Sequence, residues 1–162
     1  MFPTKEGVED LFKSLIRDIA GELFGCPPAT QDLKLNTKNR DTAIKAKHIQ
    51  YGPMNLADES WWKAAANHWS SEDRSVSPEV AKQSKCGNCV AFDTSVRMKE
   101  CMPGETTDPD GELGYCWMHD FKCHSARSCY TWASGGPIKD DRVSLSWQAK
   151  ASWFTGPNTP KK

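Results

Sequence analysis

Six of the seven cysteines of this 162-residue chain fall between Cys86 and Cys129, while Cys26 stands alone. So dense a run of thiols constrains the fold more than any other feature, because such a segment must either bind metal or be cross-linked. The N-terminus "MFPTKEGVEDLFK" has neither the basic start nor the unbroken apolar stretch of a secretory leader. Synthesis and folding in the cytoplasm are therefore expected, and in that reducing setting the cysteines point first to metal and second to disulfides. Their odd number leaves at least one thiol free or paired with another chain.

The rest of the composition narrows the function classes. Twenty-one basic residues balance 21 acidic ones, which removes any global electrostatic argument for nucleic acid as a partner. No apolar run approaches the roughly 20 residues that cross a bilayer, so no membrane role is expected. A mean hydropathy of −0.67 and this length suit one small core with appendages.

Along the chain, Val8, Leu11, Phe12, Leu15, Ile16, Ile19 and Leu23 follow helical spacing, predicting an amphipathic N-terminal helix that Gly25 and Pro27-Pro28 end. It either packs on its own core or docks on a partner. Residues 26–57 show no sustained period and are expected to be an extended linker with a turn at Tyr51-Gly52-Pro53. Asn55 and Asp58 approximate a helix start before a stripe of Trp61, Trp62, Ala65, Ala66 and Trp69, and Ser77-Pro78 caps a short helix leading into Cys86. Beyond Gly135-Gly136-Pro137, the alternation of Val143, Leu145 and Trp147 favours a short strand or extended arm, and "TGPNTPKK" should be loose. The expected organisation is an N-terminal helix and linker (1–57), a cysteine-rich module (58–137) and a C-terminal arm (138–162). The expected fold class is a small, irregular, turn-rich α+β structure stapled at its centre by a metal cluster.

Spacing separates the chemistries open to the cysteines. Cys86-Gly87-Asn88-Cys89 lets two thiolates converge from a tight turn. A zinc ribbon closes with a second Cys-x-x-Cys or a His pair, which the wide later gaps weaken without excluding. A disulfide oxidoreductase needs its Cys-x-x-Cys between strand and helix of an alternating fold, and no such alternation is visible. An iron–sulfur cluster wants thiolates around a cube, so a close pair plus distant single cysteines suits it. Cys86-x2-Cys89-x11-Cys101-x14-Cys116 has that shape. His119 and His124 lie beside these cysteines, as hydrogen-bonding residues or as further ligands. No Ser/His/Asp order, phosphate loop or motivated carboxylate pair argues for an enzyme, and Asp110-Gly111-Glu112 looks like a turn.

Over residues 77–117, Cys86-Gly-Asn-Cys89, Phe92 and Gly114-Tyr115-Cys116 resemble the high-potential iron–sulfur proteins. The resemblance implies a buried 4Fe–4S cluster held by Cys86, Cys89, Cys101 and Cys116, with Phe92, Tyr115 and Trp117 keeping water away. The chain departs from the pattern in a short gap before Cys101 and in the additional Cys123 and Cys129. Because Cys129-Tyr130-Thr131-Trp132 matches the same family's Cys-x-x-Trp ending, Cys129 competes with Cys116 as the fourth ligand. The unused pair is then free or joined as a disulfide.

A second resemblance covers nearly the whole chain. The blocks "NRDTAIKAKHIQYGPMN", "KCGNCVAFD" and "GYCWMHDFKCHSARSCYTWASGGPI", in this order, are similar to a small virion structural protein of contractile-tailed phages that infect cyanobacteria. It implies a chain made in the host cytoplasm and carried in the virion, with other virion proteins as partners of its terminal arms. Three classes follow: a cluster-bearing structural protein, a soluble electron carrier with a redox partner, and a zinc-stapled interaction module.

Overall fold

A computed structural model describes residues 25–45 and 51–155, with the backbone alone over 152–155. The helix expected over Val8–Leu23 and the loose end after residue 155 lie outside the described residues. The elements are α1 (Pro28–Gln31), α2 (Leu33–Lys45), α3 (Glu59–Trp69), α4 (Pro78–Ala81), a 3-10 turn (Cys86–Asn88), β1 (Phe92–Asp93), α5 (Val96–Cys101), β2 (Thr107–Asp108), β3 (Gly111–Cys116), β4 (Phe121–His124) and α6 (Asp141–Thr155). This is a small mixed α+β fold, as the sequence leads one to expect.

Strand β3 organises the sheet, pairing antiparallel with each of the other three. The β2–β3 connection is the turn expected between Cys101 and Cys116: Asp108 Oδ1 accepts from the backbone N–H groups of Asp110 and Gly111 at 2.8 and 2.9 Å. In β3, Gly114 lies opposite Cys123 and Cys116 opposite both Phe92 and Phe121. Directly paired residues point to one side, so Phe92, Cys116, Phe121 and Cys123 share a face. Gly114 leaves room on it: a Cβ there would lie 2.5 Å from the Phe92 ring.

The segment expected as a linker is largely helical. Helix α2 carries little apolar periodicity because polar groups attach it. Asn36 Oδ1 accepts from the Lys122 backbone N–H at 2.7 Å, and Asn39 Nδ2 donates to the Asp120 carbonyl at 2.7 Å. These bonds satisfy the outer edge of β4, while Ala29 and Ala43 enter the core.

The C-terminal segment is likewise a helix and not the strand or extended arm expected from Val143, Leu145 and Trp147. Its inward positions are Ser144, Trp147, Gln148 and Ala151, at helical spacing, with Ser144 and Gln148 buried and Val143 exposed. Hydropathy cannot register a buried face that is half polar. Arg97 Nη1 donates to Ser144 Oγ at 2.9 Å, and Arg97 Nη2 donates to Gln148 Oε1 at 2.5 Å and to the Gly25 carbonyl at 3.0 Å. Ser144 Oγ in turn donates to the fully buried Asp93. One polar network thus joins α5, α6, β1 and Gly25 in the segment before α1.

The tryptophan stripe forms a second core. Asp58 caps α3 by accepting from the Trp61 backbone N–H, and Trp62, Ala65 and Ala66 are buried against Ala81 of α4. Ser77 caps α4 as expected, accepting from the Val80 N–H at 3.2 Å. Trp69 Nε1 donates to the Tyr130 carbonyl at 3.1 Å, which braces the Cys129–Trp132 loop from behind.

Candidate metal centre

The Cys86–Cys89 turn is held from two sides. On one, the N–H groups of Cys86 and Gly87 donate to the carbonyls of Arg127 and Ser125, at 2.7 and 3.0 Å. A Cβ on Gly87 would approach Ser125 to 3.1 Å, so this contact favours glycine. On the other, the Val90 and Gly136 N–H groups donate to the carbonyls of Ala133 and Asn88, at 2.9 and 3.2 Å. Trp132 Nε1 donates to the Lys85 carbonyl and to Asn88 Oδ1, at 2.9 and 2.8 Å.

The tightest point of this clamp is Gly136, where a Cβ would fall 1.7 Å from the Cys89 carbonyl oxygen. Gly136→Ala must push the turn and the 133–136 loop apart. A loss of about 3 kcal/mol, the upper end of overpacking penalties, is expected in urea unfolding, and wild-type stability in this variant would contradict the clamp.

The clamp brings distant thiols together. Cys86 and Cys89 from the turn, Cys116 from the end of β3 and Cys129 from the loop after β4 line one cavity with Phe92, Met118, Thr131 and Trp132. The cavity is small, and its wall is mostly sulfur and apolar carbon, with Thr131 its polar member. Among the described residues, no group of three or more His, Cys, Asp or Glu side chains is gathered as a ready site for a metal ion.

Polar backbone is aimed at two of the four sulfurs. The N–H groups of Met118 and His119 hydrogen-bond Cys116, and the Thr131 N–H together with its hydroxyl, 3.2 Å away, bonds Cys129. His119 Nε2 lies 2.7 Å from the same Thr131 hydroxyl and orients it. Burial outweighs these bonds, pushing the Cys116 thiol well up and that of Cys129 to about 11. A bound cation would reverse that balance, because ligation requires thiolates and releases their protons. The donor set therefore fits a thiolate-ligated group: four sulfurs, an apolar wall and N–H groups placed to tune sulfur charge.

Of the expected ligands, Cys86, Cys89 and Cys116 are brought together and Cys101 is not. Cys101 ends α5 and is joined to Cys26 in a disulfide spanning 75 residues of sequence. Its sulfur is thus already bonded, and the fourth place at the cavity passes to Cys129, the alternative marked by Cys-x-x-Trp. Cys123 does not line the cavity, and its sulfur is 3.0 Å from that of Cys86 and 3.4 Å from the Tyr51 hydroxyl. His124 bonds Asp108 at 2.9 Å and does not line the cavity.

The aromatic residues divide similarly. Phe92 lines the cavity, while Tyr115 and Trp117 stack edge-on with each other, and Trp117 Nε1 donates to Asp93 at 2.9 Å. Met118, Thr131 and the cavity-lining role of Trp132 escape motif reasoning. Their one sequence signal is position, within two or three residues of a cavity-lining cysteine.

No known protein family, curated protein or solved structure matches this chain. Among the described residues, no helix is long and apolar enough to cross a membrane.

Proposed function

We propose that this chain is a non-enzymatic 4Fe–4S protein in which the cluster, ligated by Cys86, Cys89, Cys116 and Cys129, cross-links a core drawn from three separated segments. The observation that carries the reading is the shared cavity: four thiols from a turn, a strand end and a loop converge on one apolar space. The N–H groups directed at Cys116 and Cys129 add support, since such bonds stabilise negative sulfur. When bound, the cluster would supply four metal–thiolate bonds and a redox centre. The protein's own part is to hold the thiols apart at fixed positions and to keep water from them with Phe92 and Trp132.

The structural role has its own test. The anaerobically purified chain should melt cooperatively, and removal of its iron by a chelator should lower the melting temperature markedly, because binding and folding are coupled in such centres. Equal melting temperatures with and without iron would remove the stabilising role. The virion assignment rests on the order of the three sequence blocks. It predicts that purified particles of a contractile-tailed cyanobacterial phage encoding the chain contain it at stoichiometric levels by mass spectrometry. Its absence from washed particles would overturn that assignment.

A further inference from the structure

Cys123 is the free cysteine that the proposed cluster leaves unused. It is 2% exposed and faces Cys86, a proposed ligand, across 3.0 Å between sulfurs. That separation is inside van der Waals contact and about 1 Å beyond a disulfide bond. The turn that carries Cys86 is fastened to the segment just after Cys123, through the Cys86 N–H to the Arg127 carbonyl and the Gly87 N–H to the Ser125 carbonyl. A shift of about 1 Å between the sulfurs closes the gap.

The sulfur in contact with that of Cys123 is that of Cys86. The Tyr51 hydroxyl contacts its sulfur at 3.4 Å, and the Arg127 guanidinium lies 4.7 Å from the centre of the Tyr51 ring. Cys116 and Cys129 face the cavity, which Cys123 does not line. Cys86 lines the cavity and its sulfur also contacts Cys123.

We infer that Cys86 and Cys123 are a redox pair whose reversible disulfide closes the metal centre when its thiols meet a peroxide before they are ligated. The inference rests on the proposed cluster for its consequence, whereas the pairing rests on the sulfur geometry alone. Cys86, on the cavity wall, attacks one peroxide oxygen; the O–O bond breaks, Cys86 becomes a sulfenic acid and one water leaves. The Cys123 sulfur then displaces that hydroxyl, forming the S–S bond and releasing a second water. Two thiols lose two electrons and two protons in total, and hydrogen peroxide is reduced to two waters. A dithiol reverses the reaction by exchange.

The test uses the full chain, freed of iron by a chelator with dithiothreitol under argon, desalted and treated with a small excess of hydrogen peroxide. Alkylation and peptide mapping should recover a Cys86–Cys123 cross-link while Cys89, Cys116 and Cys129 remain alkylated. The oxidised chain should fail to take up iron and sulfide until dithiothreitol is added. Cys123→Ser should take up both before and after peroxide. Cys86 joined to another cysteine, a mixture of pairings, or both thiols still open to alkylation would overturn the inference. Should the reduced wild-type chain bind no iron at all, the cluster reading fails, and the peptide map still decides the pairing.

Discussion

Cys129→Ser is expected to lose the brown colour and nearly all of the iron of the wild-type protein, whereas Cys101→Ser keeps both. The first removes one of four thiols on the cavity wall; the second touches a sulfur engaged with Cys26. Stability should respond differently. A disulfide spanning 75 residues restricts the unfolded chain by about 4.5 kcal/mol in the chain-entropy account. Under non-reducing conditions Cys101→Ser should therefore shift the urea midpoint strongly while leaving the visible absorption unchanged. Loss of iron in Cys101→Ser with retention in Cys129→Ser would reverse the ligand assignment.

Asp93→Ala should rank among the most damaging single changes remote from the cysteines. Asp93 is fully buried and accepts from the Ser95 N–H at 2.9 Å, from Trp117 Nε1 at 2.9 Å and from Ser144. Alanine strands these donors and removes the negative charge that, through Ser144, faces the buried Arg97 guanidinium. Burial already draws Arg97 below its usual range, with Asp93 and Asp141 opposing. Each buried donor left unsatisfied costs about 1–3 kcal/mol, and together they are a large fraction of a small domain's stability. Denaturant unfolding should show a loss of that order. A loss no larger than that of the exposed Asp73→Ala would contradict the network.

What could be read from the residues alone follows from where apolar side chains carry the packing. The tryptophan helix and the Ser77-Pro78 start were legible because apolar spacing and a capping residue coincide there. The two mistaken segments share one cause. Helix α2 is held through Asn36 and Asn39, and α6 through Ser144 and Gln148, so polar contacts replace the hydrophobic stripe that periodicity detects. At the candidate site, Cys86 and Cys89 were marked by their own turn and Cys116 by the Gly-Tyr before it. Choosing between Cys101 and Cys129 required knowing that α5 carries Cys101 to Cys26, a relation across 75 residues with no local signature.

The most direct measurement is the content of iron, acid-labile sulfide and zinc in the full chain purified without oxygen, taken with its visible absorption. The account predicts roughly four irons and four sulfides per chain with broad absorption near 400 nm, as thiolate-bound 4Fe–4S clusters give. One zinc per chain, with neither iron nor sulfide and no colour, would contradict it.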